Sequence, residues 1–155
     1  MSGSFTHTLN CRQPGSLQSG LRALEHSRVY ASLPPALRFV ADLVLDELAS
    51  NTIKYGGPDC HEVRFELDFD GKVMRVSVAD DGSPFNPWQE APAVETDTTD
   101  LASMKIGGRG LLMIVQATDS QHYERRHGKN ISTLSRRWPR PHDGTPTPPP
   151  GPHSA

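Results

Sequence analysis

Residues 61–80, HEVRFELDFDGKVMRVSVAD, constrain the fold of this chain more than any other stretch. Val63, Phe65, Leu67 and Phe69 alternate with polar and charged residues, the period of two that a strand with one buried face requires. Asp70-Gly71 reads as a two-residue hairpin turn. Pairing about that turn sets Leu67 opposite Met74, Phe65 opposite Val76 and Val63 opposite Val78, with all of them on one face. The same parity carries Asp80 to that inward face, where a carboxylate without a partner is prohibitive. A hairpin with one apolar face needs a second layer to cover it.

The flanking sequence supplies that layer. Phe5, His7, Leu9 and Cys11 alternate with polar residues and predict a first strand. Leu17, Leu21 and Leu24 then recur at helical spacing within residues 14–33. Pro34-Pro35 ends that helix and opens another, since proline is tolerated in a first turn. The second helix runs over about 35–55 and stops at Gly56-Gly57. Residues 86–107 carry no sustained period and predict a long loop, the usual form of a lid. GLLMIVQATD predicts a short apolar helix, and a last hairpin over 119–137 turns at HGKN. The expected fold is an α+β two-layer sandwich: a mixed, mostly antiparallel sheet with helices on one face. Residues 139–155 are dominated by proline and predict a disordered tail, which leaves residues 3–138 as the domain.

A chain of 155 residues is long enough for one domain with a real core. A net charge of −2 leaves no electrostatic footprint for direct nucleic-acid binding. Cys11 and Cys60 are too few for a disulfide framework. The N-terminus lacks a signal-peptide pattern, and no apolar stretch approaches the ~20 residues that span a bilayer. The expected setting is the cytoplasm, away from membranes.

Three short stretches carry chemistry. On the second helix, DELASN places Asn51 about 40° from Glu47 around the helix axis, inside the arc of Val40, Val44, Leu37 and Leu48. An acid and an amide one turn apart on a core-facing stripe read either as buried polar groups satisfied by neighbours or as a divided task. In the second reading the acid is a base and the amide oxygen a ligand for a hard metal. In DDGSPFNP, Asp80 leaves the inward face of a strand and Gly82 permits close approach of a backbone or ligand. Such a carboxylate can accept from an exocyclic amine such as adenine's. GGRG, residues 107–110, opens a helix, where exposed N–H groups and the helix dipole favour phosphate. Each has a plain alternative as a turn or a buried polar group; together, in this order, the three are much more specific.

In that order the chain resembles the GHKL (Bergerat-fold) ATPase superfamily, which includes histidine kinases, type II topoisomerases, mismatch-repair proteins and a heat-shock chaperone. ELASN matches the N box, which implies Glu47 as catalytic base and Asn51 as Mg²⁺ ligand. DDGSPF matches the G1 box and implies Asp80 and Gly82 at the adenine of ATP. GGRGLLMI matches the G2 box and implies Gly108, Arg109, Gly110 and Leu111 around the phosphates. The resemblance spans about residues 3–137.

The short chain, DxGxPF and a glutamate base together resemble the anti-sigma-factor serine kinases of bacterial partner-switching systems. That resemblance implies a sigma factor and an anti-anti-sigma antagonist as partners, serine phosphorylation of the antagonist, and a homodimer. Arg22 and Arg28 lie outside the leucine stripe of the first helix and are the expected partner surface. Thr52 and Tyr55 stand where that family commonly has Ala and His, changes expected near the phosphates. The alternatives are a nucleotide-gated binding protein without useful kinase activity and a stand-alone ATPase or histidine-kinase-like module.

Overall fold

The computed structural model describes residues 2–90, 108–141 and 143. Five strands form one sheet: β1 (Gly3–Asn10), β2 (Glu62–Phe69), β3 (Val73–Asp80), β4 (Ser120–Arg126) and β5 (Lys129–Arg137). Their spatial order is β1-β2-β3-β5-β4. Every pairing is antiparallel, so the expected mostly antiparallel sheet is wholly so among the described residues. The helices are α1 (Ser16–Glu25), α2 (Arg28–Ser32), α3 (Pro35–Tyr55), α4 (Pro87–Glu90) and α5 (Gly108–Ala117).

The sheet's inner face and the helices share one core. Leu9, Val63, Phe65, Leu67, Met74, Val76 and Val78 meet Leu24, Leu37, Val40, Val44, Leu45, Leu48, Leu111 and Ile114 there, all buried. The alternate residues Glu62, Arg64 and Arg75 point to the open face and are exposed. This is the expected two-layer sandwich, with the inward parity of β2 and β3 as read from sequence.

The hairpin register differs from expectation by two residues. Phe69 faces Met74, Leu67 faces Val76, Phe65 faces Val78 and Val63 faces Asp80. The turn is Gly71-Lys72 rather than Asp70-Gly71, because Asp70 is better used as its brace. Its Oδ1 accepts from Lys72 N at 2.8 Å and Val73 N at 2.7 Å, an Asx-type turn, while Gly71 takes φ 91°. A shift of two preserves parity, which is why the buried face was read correctly from the wrong register.

Two further boundaries move. The first helix is two helices, because Ser27 ends one and starts the next: its hydroxyl donates to Leu24 O at 2.6 Å and accepts from Tyr30 N at 3.3 Å. The last hairpin turns at His127-Gly128, both with positive φ (52° and 75°), so Asn130 belongs to β5 rather than to the turn. The expected lid begins with α4, and its remainder, residues 91–107, lies outside the described residues. Of the expected tail, Arg140 and Asp143 bond to the domain. Arg136, 5% exposed, pairs with Asp143 at 2.7 Å, and Arg140 with Asp119 at 2.9 Å. Residues 144–155 lie outside the described residues. No helix among those described is long and apolar enough to cross a membrane.

Candidate functional site

α3 and β3 converge at one end of the sandwich, and α5 packs across α3. Glu47 and Asn51 come from α3, Asp80 and Gly82 from the end of β3, and Gly108 and Gly110 from the first turn of α5. The structure therefore gathers the three stretches around one end of the molecule.

Asp80 is the most fully supported group. Asp80 Oδ1 accepts from Gly82 N at 2.9 Å and from Asn130 Nδ2 at 2.9 Å. Asp80 Oδ2 accepts from Thr52 Oγ1 at 3.2 Å. Oδ2 thus holds a single bond and keeps a lone pair for another donor, which is what an exocyclic amine would supply. Thr52 therefore lies at the carboxylate end, not beside the phosphate-type stretch as expected. Tyr55 is 67% exposed.

Asn130 was not singled out from sequence. It sits directly opposite Asp80 in the β3–β5 register and is 3% exposed. Its Nδ2 also donates to Ser83 O at 2.8 Å. Its Oδ1 accepts from Tyr123 Oη at 2.6 Å, Arg125 at 3.0 Å and Phe85 N at 3.2 Å. Donors surround the oxygen and acceptors the nitrogen, so the amide has one consistent orientation. The sequence signal for it is the inward parity of Asn130, Ser132 and Leu134, which a turn at HGKN conceals.

The second aspartate of DDGSPF has its own task. Asp81 Oδ1 accepts from His61 N at 2.7 Å and Glu62 N at 3.0 Å, closing the free end of β2. Burial raises its pKa, but the two N–H bonds outweigh burial and hold it below the ordinary carboxylate value. Gly82 is required by backbone: an added Cβ would lie 2.9 Å from Gly56 O and 3.0 Å from Gly56 Cα. Ser83 N donates to that same carbonyl at 3.0 Å, which ties the exit of β3 to the end of α3.

The other end is different. Glu47 is half-buried and makes no hydrogen bond among the described residues. A Cβ added at Gly110 would overlap its carboxyl group, so glycine there is what lets α5 close on α3. Burial raises the Glu47 pKa, the charge of Asp46 raises it further, and Lys54 only partly offsets them. The carboxylate lies against the first turn of α5, the helix end that favours negative charge. Asn51, half-buried one turn along α3, likewise has no hydrogen bond among the described residues. Arg109 is exposed, whereas Leu111 is 2% exposed in the core, so only its backbone can serve a ligand.

These residues fit ATP and Mg²⁺. Asp80 Oδ2 can accept from a base amine. The N-terminal turn of α5, with glycine at 108 and 110, offers the backbone N–H groups that favour phosphate, and the Glu47 carboxyl group fills the space beside Gly110. The Asn51 amide oxygen is a hard ligand of the type Mg²⁺ takes.

No curated protein matches the chain. A family model for the histidine kinase-like ATPase domain matches residues 13–136, which contain all three stretches, β2, β3 and β4, and β5 but for its last residue. With that match over most of its length, and with the site it brackets, the chain belongs to the histidine kinase-like ATPase domain family, within the GHKL ATPases.

Proposed function

We propose that this ATP-binding domain is an anti-sigma factor with serine-protein kinase activity, one that holds a sigma factor and phosphorylates a serine of an anti-anti-sigma antagonist. The observation that carries the reading is Glu47. It is a carboxylate with a raised pKa and no hydrogen-bond partner among the described residues, set against the first turn of α5. A group so placed is suited to take a proton from a hydroxyl, and a serine needs that removal in a way a histidine ring does not.

Bound ATP would supply the phosphoryl group and Mg²⁺ its charge neutralisation. Asp80, fixed by Thr52 and Asn130, would hold the base. Asn51 would hold the metal. The backbone at Gly108 and Gly110 would face phosphate oxygens, and Glu47 would accept the Oγ proton of the incoming serine. Arg22 and Arg28 are both exposed and are the proposed contacts for acidic groups of the partner or of a second subunit.

The deciding experiment incubates the protein with labelled ATP, Mg²⁺ and its cognate antagonist. An acid-stable phosphoprotein with label on serine is expected. An acid-labile product would assign a histidine-directed kinase. Nucleotide-dependent binding with no label transfer would leave a nucleotide-gated binding protein. Phosphate release without any protein acceptor would leave a stand-alone ATPase.

A further inference from the structure

Cys11 and Cys60 lie 49 residues apart in sequence, yet their sulfurs approach to 2.8 Å. Cys11 directly follows β1 and Cys60 closely precedes β2, its antiparallel neighbour, and the ladder runs on between them through Cys11 N to His61 O at 2.9 Å. The β1–β2 ladder and its extension through Cys11 N hold the two segments together without help from the thiols themselves. We propose that Cys11 and Cys60 are a redox-active dithiol, closed to an intramolecular disulfide by a low-molecular-weight disulfide of the glutathione class.

The two sulfurs are unequal. Cys60 is 4% exposed, whereas Cys11 is half-buried and reachable from solvent. Burial raises both thiol pKa values, and either thiol can donate in the bond between them. Its greater exposure makes Cys11 the attacking group and Cys60 the resolving one. Cys11, as thiolate, attacks one sulfur of the small disulfide. The S–S bond breaks and the first small thiolate leaves and takes up a proton. Cys60 then loses its proton to water and attacks the Cys11 sulfur, and the second small thiol departs. Two cysteine thiols are oxidised by two electrons, and one disulfide is reduced to two thiols.

The bond would brace the floor of the nucleotide site. A Cβ added at Gly56 would lie 2.8 Å from Cys60 Cβ and 3.1 Å from its Sγ, so the cysteine packs directly on the glycine that ends α3. Gly56 in turn touches Gly82, whose N–H bonds Asp80. Closure also encloses α1, α2 and α3, with Glu47 and Asn51, in one covalent loop.

The test uses the full chain, reduced without oxygen and then equilibrated with glutathione and its disulfide at graded ratios. Acid quenching, alkylation and mass analysis follow. A monomer lighter by about 2 Da, with a Cys11–Cys60 cross-linked peptide and full reversal by dithiothreitol, is the expected result. The oxidised form should melt above the reduced form. Cys60→Ser should stop at a mixed disulfide on Cys11, and Cys11→Ser should react at least about tenfold more slowly. A persistent mixed disulfide, a cross-linked dimer or no reaction in the wild-type chain would overturn the dithiol. Equal or lower melting of the oxidised form would overturn the brace. Both wild-type readouts stand even if a serine variant fails to fold.

Discussion

The two ends of the nucleotide site are built on opposite plans. At the Asp80 end the carboxylate has three donors, and the amide beside it, on Asn130, is bonded on both its oxygen and its nitrogen. At the Glu47 end a carboxylate and an amide of the same types have no hydrogen-bond partner among the described residues. Both are half-buried and neither has a fully buried unpartnered side-chain atom, so water can serve them until a ligand arrives. The first end is organised by the fold's own hydrogen bonds, with a lone pair of Asp80 Oδ2 left over, and under the proposed function it would serve recognition. Under the same proposal the second end would supply the polar groups for chemistry.

The sharpest way to break this division is Glu47→Gln. The amide cannot accept a proton, and a positioned base contributes about 10²- to 10⁴-fold in rate. Single-turnover label transfer should slow by that factor while ATP affinity, measured by calorimetry, stays nearly constant. A large loss of affinity would make Glu47 a binding residue and merge the two ends. Normal transfer would remove the proposed base.

Asp80→Asn acts on the first end and should do the reverse. It replaces a charged acceptor with a neutral amide that can turn a donor toward the base. Loss of one charge-assisted bond is worth ~1.5–3 kcal/mol, roughly a 10- to 150-fold rise in Kd. Turnover at saturating ATP should change far less than affinity. If affinity is unchanged in a folded variant, Asp80 is a structural residue only.

Asn130 and Asn51 sharpen the contrast, because they are the same residue type at the two ends. Asn130→Ala removes the side-chain donor to Asp80 Oδ1 and to Ser83 O, and takes the acceptor from Tyr123 Oη and Arg125; it should lower stability by ~1–3 kcal/mol in urea melts. Asn51→Ala breaks no side-chain hydrogen bond among the described residues and should cost under ~0.5 kcal/mol. It should instead remove the Mg²⁺-dependent part of ATP binding. Equal stability losses would mean the ends are not differently built.

The contrast also decides what could be read from sequence. Glu47 and Asn51 are neighbours on one helix, so a local period of 3.6 exposes their shared face. Asp80 follows from strand parity, which survived even a register error of two residues. Asn130 depends on a pairing between β3 and β5 that crosses the α4–α5 region, and nothing local announces it. Thr52 was placed at the wrong end for a related reason: its hydroxyl faces β3 across the sandwich, a contact that helix spacing alone does not fix. The division of α1 from α2 rests on one serine hydroxyl, a capping choice that a leucine stripe does not encode.

The smallest expected effect tests whether the Glu47 end is held at a cost. Burial first, and Asp46 second, raise the Glu47 pKa in the folded chain above its unfolded value. Between those two values the native state binds more protons than the unfolded state, so its stability falls as pH rises through that window. Below the unfolded carboxylate value, near pH 4.3, both states are protonated and the cost is absent. Above the folded value it is fully present. Glu47→Gln removes the titration, so the variant should match wild type at low pH and exceed it at neutral pH. The gain should be on the order of 0.5 kcal/mol or less, since no hydrogen bond is lost and the site is partly solvated. Taking the difference between variant and wild type at each pH cancels the other titrating groups. Urea melts at about pH 4 and pH 7.5 give that difference, read against Asp80→Asn as the control that should lose stability or stay level. A gain that does not grow with pH would show that the Glu47 carboxylate carries no burial cost, and the two ends would then differ only in their hydrogen bonds.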